Sequence, residues 1–237
     1  MTPTPPSESP NPGSVWPPPP TQPVAADARR PFASLIPLSR VIAVLGVLDI
    51  IGGVGVTLVK ARQVALSGVP GDILLVLLAG VIFLAVFVAY RVLFLRWLFV
   101  AYKNLDVFEA AGLETTAGWA VGWIFIPVAN LYRPYLTLHE LYKAGTPGVD
   151  SRDEIAWQRV PSSPLIGWWW SSILIDLFLP KMVDKVLTHG ITETASGILN
   201  FVLELVSITL TIVLVGSISR RQEAKAREIA PSAPSYL

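Results

Sequence analysis

Three acidic residues stand inside long apolar stretches of this sequence: Asp49, Asp176 and Glu204. A charged carboxylate in hydrocarbon is costly, so each group is expected to be protonated, to pair or to contact water. Three carboxylates on neighbouring helices could carry protons or cations across a membrane. In the alternative interpretation they hydrogen-bond between helices as protonated groups, with Ser172 one turn from Asp176 and Asn200 one turn from Glu204. We call these five residues the carboxylate cluster.

A second distinctive group of residues occupies the middle of the chain. Its apolar run, 119–131, has 13 residues, fewer than the ~17 that a membrane-spanning helix needs. Tryptophan favours the headgroup region of a bilayer, so segment 115–144 is predicted to lie at the membrane interface as a helical hairpin. The residues that define this interfacial motif are Trp119, Trp123, Pro127, Asn130, Arg133, Pro134 and Tyr135.

The second half of this segment is predicted to be an amphipathic helix. Its apolar stripe, at spacing i, i+4, i+7 and i+11, consists of Leu131, Tyr135, Leu138 and Tyr142. This stripe is expected to be buried against lipid or protein, whereas Thr137 and Glu140 on the other side are expected to face solvent.

Composition and motifs exclude several kinds of chemistry. The sequence has no cysteine, which removes disulfides and thiolate ligands, and its two histidines do not suffice for a conventional zinc site. His139-Glu140 resembles the start of a zinc-protease motif, but Lys143 occupies the position of the second histidine, so His139 is predicted to be a surface group. We therefore expect no catalytic residues, no metal site and no cofactor, and we predict that the protein is not an enzyme.

Four apolar segments must position these residues. Hydrophobic residues make up 52% of the chain and charged residues only 15%, against about 25% charged in ordinary globular proteins. Transmembrane helices are predicted at 41–59, 72–94, 165–187 and 195–218, the third of them passing through Pro180. The predicted fold class is all-α: a polytopic membrane protein with four transmembrane helices and an interfacial helical hairpin between the second and third.

Small and polar residues share one face on two of these helices. On the first, Gly46, Asp49 and Gly53 lie at i, i+3 and i+7, which lets another backbone approach closely. On the fourth, a heptad stripe consists of Gly197, Asn200, Glu204, Ser207 and Thr211. Both faces are predicted to pack inside the bundle.

Three regions of different composition follow from this interpretation. Residues 1–37 form a proline-rich leader, with ten prolines among the first 23 residues, and are expected to be disordered. The membrane domain is 38–219, and 220–237 is a short tail. With both termini in the cytoplasm, 14 of the 18 lysines and arginines lie inside and 4 outside, as the positive-inside rule requires. The second helix is expected to project beyond the bilayer and to end before Gly112.

Four sequence stretches resemble a known family. They are WLFVAYKNL at Trp97–Leu105, GWAVGWIFIPVANLYRPY at Gly118–Tyr135, ELYKA at Glu140–Ala144 and PLIGWWW at Pro164–Trp170. Together they are similar to the domain-of-unknown-function 4328 family of small bacterial membrane proteins, over roughly residues 38–220. The resemblance implies a four-helix membrane domain behind a soluble N-terminus. It implies no activity and transfers no functional residues.

These observations favour a non-enzymatic membrane module, of an interaction or sensory type, in the plasma membrane of a bacterium. The alternative is a small proton- or cation-coupled transporter or channel that uses the carboxylate cluster. Expected partners are the lipid bilayer, a protein that binds the proline-rich leader, and a second copy of the chain. The net charge of +1 gives no reason to expect nucleic acid.

Overall fold

The computed structural model describes residues 31–65, 73–186 and 193–229. These ranges contain only helices and their connections, with no strand. Contacts divide the chain at Pro31, and the following description concerns the unit that begins at Phe32. The helices are α1 (Ile36–Ala65), α2 (Ile73–Val107), α3 (Ala117–Gly122), α4 (Arg133–Ala144), α5 (Glu154–Gln158), α6 (Pro164–Val186) and α7 (Glu193–Ile229), with 3₁₀ turns at Trp123–Phe125 and Ala129–Leu131.

The four long helices pack side by side, with α7 between α1 and α6, and α1 between α7 and α2. Small residues set the α1 contacts, as predicted. A Cβ atom on Gly46 would lie 3.0 Å from Ile208 and Ile212 of α7 and 3.2 Å from Tyr90 of α2. The backbones can therefore approach closely only because this residue is a glycine.

Three of these helices are long and apolar enough to cross a membrane: Ile36–Val56, Val76–Val107 and Ser196–Ile229. The helix α6, which was predicted as a fourth crossing, does not meet this standard of composition among the described residues. Its apolar run begins with three tryptophans and is interrupted by Asp176 and Lys181. As predicted from its length, α6 continues as a helix through Pro180.

The helices α2 and α7 are longer than a bilayer is thick. With 35 and 37 residues, they measure about 52 and 55 Å, whereas the hydrocarbon core is about 30 Å thick. Each long helix carries several exposed large apolar side chains toward one end. Examples are Ile51, Leu58, Leu77, Val81, Leu84, Ile175, Phe178, Ile198 and Val202.

The other ends of the long helices are buried under the short helices. We call α3, α4 and α5, their connections and the helix ends that they cover the lobe. Its core contains Trp97, Tyr102, Leu138, Leu141 and Trp157, each at most 4% exposed. At the end of α2, Gly112 has φ +71°, a left-handed conformation that glycine adopts easily. This agrees with the prediction that the helix ends before Gly112.

Both ends of the described unit are more ordered than the sequence suggested. Residues 1–30 of the predicted leader lie outside the described residues, as do 230–237 of the predicted tail. Phe32 and Leu38, however, pack on the core, and Leu35 is fully buried. The last helix continues past the expected boundary at 219 to Ile229, because Gln222 and Lys225 are buried in the lobe.

The predicted buried stripe of the interfacial helix is right in part: Leu138 is buried and Tyr135 and Tyr142 pack half-buried on the core, whereas Leu131 is exposed. The buried face of α4 consists of Pro134, Thr137, Leu138, Leu141 and Ala144. Thr137, expected in solvent, is 3% exposed. The buried face differs from the prediction because α4 packs against several helices, namely α2, α5 and α6. Hydrophobic periodicity alone assumes one partner surface.

Candidate functional site

Amide side chains join the three chain segments that meet in the lobe. The Asn104 side chain accepts a hydrogen bond from the Ala33 amide (3.1 Å) and donates to the Ala33 carbonyl (2.9 Å). It also donates to Gln222 (3.1 Å), which donates in turn to the Ala101 carbonyl (2.9 Å). These bonds fix the entrance of α1 against α2 and α7, since buried amides must find partners.

Lys225 ties α7 to the loop after α4. Lys225 is 2% exposed, and its ammonium group donates to the carbonyls of Ala144 (2.9 Å), Thr146 (3.1 Å) and Val149 (2.9 Å). Three carbonyl dipoles therefore take the place of a carboxylate partner for this buried cation. The end of α7 is thereby fastened to the 144–149 loop.

Indole groups make the matching contacts nearer to the apolar band. Trp97 of α2 donates to Ser219 (3.0 Å), and Trp169 of α6 donates to Thr211 (2.9 Å), both on α7. Buried indole N–H groups usually need such a partner. Ser219 and Thr211 thus give α7 a polar contact with a helix on either side.

The carboxylate cluster comes together in part. Asp49 is 0% exposed, and neither of its carboxylate oxygens has a hydrogen-bond partner within the described ranges. Glu204 lies against α1, where a Cβ atom on Gly53 would be 3.7 Å from its Oε2 atom. The charges of Asp49, Asp176 and Arg91 are all near enough to act on Glu204. Arg91, on α2, is therefore close enough to these carboxylates to interact with them.

The two predicted polar partners of the carboxylates lie elsewhere. Ser172 is buried, but its hydroxyl donates to the Trp169 carbonyl (2.8 Å) rather than to Asp176. Asn200 was predicted to face the bundle and is exposed instead. Helical spacing placed each residue one turn from its carboxylate, but it did not fix which way either side chain turns.

The interfacial motif folds into a compact aromatic and cationic stack. Trp119 and Trp123 stack with ring centroids 4.6 Å apart, and the Arg133 guanidinium lies 5.1 Å from the Trp123 ring. Trp123 donates to the Thr115 hydroxyl (3.2 Å). Pro134 occupies the first turn of α4, where its missing N–H is harmless.

Other residues of the motif form the turn between its two arms. The Asn130 amide donates to the Ile126 carbonyl (2.7 Å), which closes the turn around Pro127. Phe125 and Val128, at the tip, are 70% and 74% exposed. The tip of the motif is therefore both apolar and exposed.

A cavity of about 280 Å³ lies beside the motif, within the lobe. One face of α4 forms its floor, with residues at i, i+3, i+4, i+7 and i+10. Segments 114–115 and 157–158 form its walls. The lining residues are Glu114, Thr115, Arg133, Leu136, Thr137, His139, Glu140, Lys143, Trp157 and Gln158.

Glu140, predicted to be solvated, is held by two donors at the base of the cavity. One carboxylate oxygen accepts from the Tyr102 hydroxyl and the other from the Glu114 amide (2.5 Å). Burial raises the pKa of Glu140, although these two hydrogen bonds act in the opposite direction. Glu140, on the floor of the cavity, thus connects Tyr102 of α2 with the backbone of Glu114 in the cavity wall.

His139 is not the surface group that the sequence predicted. Its Nε2 atom is buried and has no hydrogen-bond partner in the described part of the chain, and its ring meets Tyr135 edge-on at 4.3 Å. Burial lowers the pKa of His139, and the positive charge of Lys143 acts in the same direction. The ring is therefore neutral near pH 7.

Sequence reasoning missed this cavity because its walls come from the connection before α3 and from the short helix α5. The α4 residues on the floor do share a polar face, and that face was visible in the sequence. Nothing in the pattern of 114–115 or 157–158 indicated that these segments would close over it. Among described residues, no group of three or more histidines, aspartates or glutamates could hold a metal ion.

In the described ranges the chain is helical, with three helices long and apolar enough to cross a membrane and a polar lobe on the ends of two of them, an arrangement compatible with a multi-pass membrane protein. The chain belongs to the family called domain of unknown function (DUF4328), whose model matches residues 62–221. This agrees with the resemblance found in its tryptophan-rich stretches. No curated protein and no solved structure matches the chain.

Proposed function

We propose that the protein is a non-enzymatic interaction or sensory module of a bacterial plasma membrane, with four crossings and both termini in the cytoplasm. In this proposal the lobe lies on the cytoplasmic surface, and its hairpin rests in the membrane interface. The proline-rich leader serves as the binding arm for a partner protein.

The direction of the helices supports a fourth crossing by α6. Its N-terminal half contacts the lobe, since Trp170 donates to the Leu131 carbonyl (3.2 Å). The helix α7 ends in the lobe at Lys225, so its other end lies on the far side of the membrane. The described chain between the lobe and the start of α7 is α6. Its 23 residues give about 34 Å, enough to cross.

The basic residues support the cytoplasmic position of the lobe. Placing the lobe inside puts 14 of 18 lysines and arginines in the cytoplasm. The exposed apolar tip at Phe125 and Val128 would then contact the inner leaflet. The exposed Trp168, at the start of α6, is the kind of residue that anchors a helix at the same depth.

One observation carries the proposal of a sensory or interaction module: α2 and α7 run unbroken from the apolar band into the lobe. The bonds of Asn104, Gln222 and Lys225 hold the lobe to these helix ends. A change in the relative position of α2 and α7 within the membrane must therefore reach the lobe surface. Most buried polar groups of the lobe serve this attachment rather than a reaction.

Photo-crosslinking in native membranes tests the interaction. A photoreactive residue at Trp16, beside Pro17–Pro20, should give a discrete adduct of this chain with one partner protein. Replacing those four prolines with alanine should remove the adduct, while the same probe at Ser235 should give none. Absence of any adduct, or adducts that survive the alanine replacement, would count against the leader as a binding arm.

A second function is favoured by the buried carboxylate of Asp49, which has no hydrogen-bond partner among the residues that the structure describes, and by the nearby charges of Arg91, Asp176 and Glu204. In this alternative the cluster conducts protons or cations. Purified protein in liposomes, with a pH-sensitive dye and an imposed potential, distinguishes the two functions. We expect no flux above that of empty liposomes. Proton leak that is lost in Glu204→Gln would favour the transporter.

A further inference from the structure

The floor of the cavity in the lobe carries more hydrogen-bond donors than acceptors. The guanidinium of Arg133 has one ionic contact, 3.7 Å from Glu114, and its buried Nε atom has no hydrogen-bond partner within the described ranges. Lys143 donates one hydrogen bond, to the Gln158 carbonyl (3.0 Å). An ammonium group carries three donors and a guanidinium five, so most of this capacity is unused.

The acidic residues of the cavity either have hydrogen-bond partners of their own or lie at its rim. Both oxygens of Glu140 are engaged by Tyr102 and by the Glu114 amide. The side chain of Glu114 is 76% exposed and lies at the rim. A cation whose donors are partly buried is stabilised by an anion that can accept several hydrogen bonds.

The shape and position of the cavity narrow the class of ligand. At about 280 Å³ it is at the small end of ligand sites and fits a headgroup-sized molecule. Leu136 lines it and is 43% exposed, next to the exposed apolar side chains of Leu131 and Tyr132. The opening thus joins a polar interior to an apolar surface.

We propose that this cavity binds an anionic phosphate group, with Arg133 and Lys143 as its two cationic contacts. The planar guanidinium can donate two parallel hydrogen bonds to phosphate oxygens, and the lysine supplies a second charge. His139 also lines the cavity. Two sources carry such a group: a phospholipid, whose chains would lie along Leu136, and a soluble phosphate ester. This proposal does not depend on the number of membrane crossings or on the leader.

The experiment compares both sources on the full-length protein in a maltoside detergent. Titration calorimetry measures binding of inorganic phosphate and glycerol 3-phosphate. Native mass spectrometry measures binding of dioctanoyl phosphatidylglycerol, with the net-neutral dioctanoyl phosphatidylcholine as comparison. Binding of the anionic lipid alone identifies a headgroup site, and saturable binding of glycerol 3-phosphate identifies a site for soluble esters. If neither probe binds, the proposal is overturned.

Three variants assign binding to the cavity. Arg133→Gln should weaken binding about tenfold or more, because a charge-assisted contact is lost. Glu114→Gln should strengthen binding, because it removes the competing anion from the rim without disturbing buried groups. The exposed Arg227→Gln carries the same loss of charge as Arg133→Gln and should change affinity less than about twofold. Weaker binding in Glu114→Gln, or equal losses in the two arginine variants, would overturn the proposal even if Arg133→Gln failed to fold.

Discussion

Single buried side chains decide how the lobe is attached to the membrane helices. Lys225 joins α7 to the loop after α4 in an unusual way, because three backbone carbonyls accept the hydrogen bonds of its buried ammonium group. Glu140 is the corresponding acid, held by a hydroxyl and an amide. Neither role could be inferred from the sequence. Residue type and helical spacing indicate that a charged group sits on a helix, but its partners here come from residues tens of positions away.

Removing the Lys225 ammonium group should destabilise the lobe more than any change to an exposed charge on the same helix. Lys225→Met keeps the length of the side chain but leaves the carbonyls of Thr146 and Val149 without this donor. The expected loss in the free energy of unfolding is about 3 kcal/mol, since each buried unsatisfied group costs roughly 1–3 kcal/mol. Thermal unfolding in detergent measures it. The control, Arg227→Met, is exposed on the same helix and should be close to wild type; equal losses would contradict the role of Lys225.

The raised pKa of Glu140 predicts a pH-dependent contribution to stability. Between its unfolded and folded pKa values, the folded protein binds more protons at this site, so the free energy of unfolding falls as pH rises through that window. Glu140→Gln cannot ionise, and its amide can still accept from the Glu114 amide and donate to Tyr102. The melting temperature of the variant minus that of the wild type should therefore be larger at pH 8 than at pH 5. Because His139 titrates in both proteins, its effect cancels in the comparison. An identical difference at the two pH values would refute the prediction.

At the scale of helices, the sequence predicted where helices run and where they pack closely better than it predicted which face of a helix is buried. The continuation of α2 beyond the bilayer, the end before Gly112 and the close packing at Gly46 all follow from local rules of length, conformation and size. The buried face of α4 followed only in part, because α4 packs against several helices. The outward position of Asn200 likewise depends on where α1 and α6 end, and that is a tertiary property.

Close packing at Gly46 can be tested against a glycine on the same helix that has open space around it. Gly46→Leu would place a side chain against Ile208, Ile212 and Tyr90, whereas a Cβ atom on Gly55 would meet nothing within 4 Å. Overpacking typically costs about 1–3 kcal/mol, so Gly46→Leu should lower the melting temperature in detergent markedly. Gly55→Leu should leave it nearly unchanged. Similar effects of both substitutions would mean that α1 does not pack on α7 through Gly46.

At the scale of the whole molecule, composition predicted an all-helical chain with membrane-crossing helices. It could not predict that the ends of those helices support a lobe with its own cavity. The apolar segments can be recognised locally, because a helix that crosses lipid must be apolar along its length. The lobe depends on contacts between segments far apart in sequence, such as Lys225 with Val149, and no local pattern records them.

The topology of the whole chain depends on whether α6 crosses the membrane, and this can be tested directly. If α6 crosses, the ends of the chain and the lobe share one side of the membrane, and the two connections outside the described ranges, 66–72 and 187–192, share the other. Reporters active only in the cytoplasm, fused after Gly68, Asp150, Gly190 and Leu237, measure this directly. Signal is expected at Asp150 and Leu237, and none at Gly68 or Gly190. If α6 lay flat on the surface instead, the Gly190 fusion would be active and the Leu237 fusion silent. That outcome would also place Lys225 on the opposite side from the carbonyls it contacts, so the packing of α7 on the lobe would have to be abandoned with it.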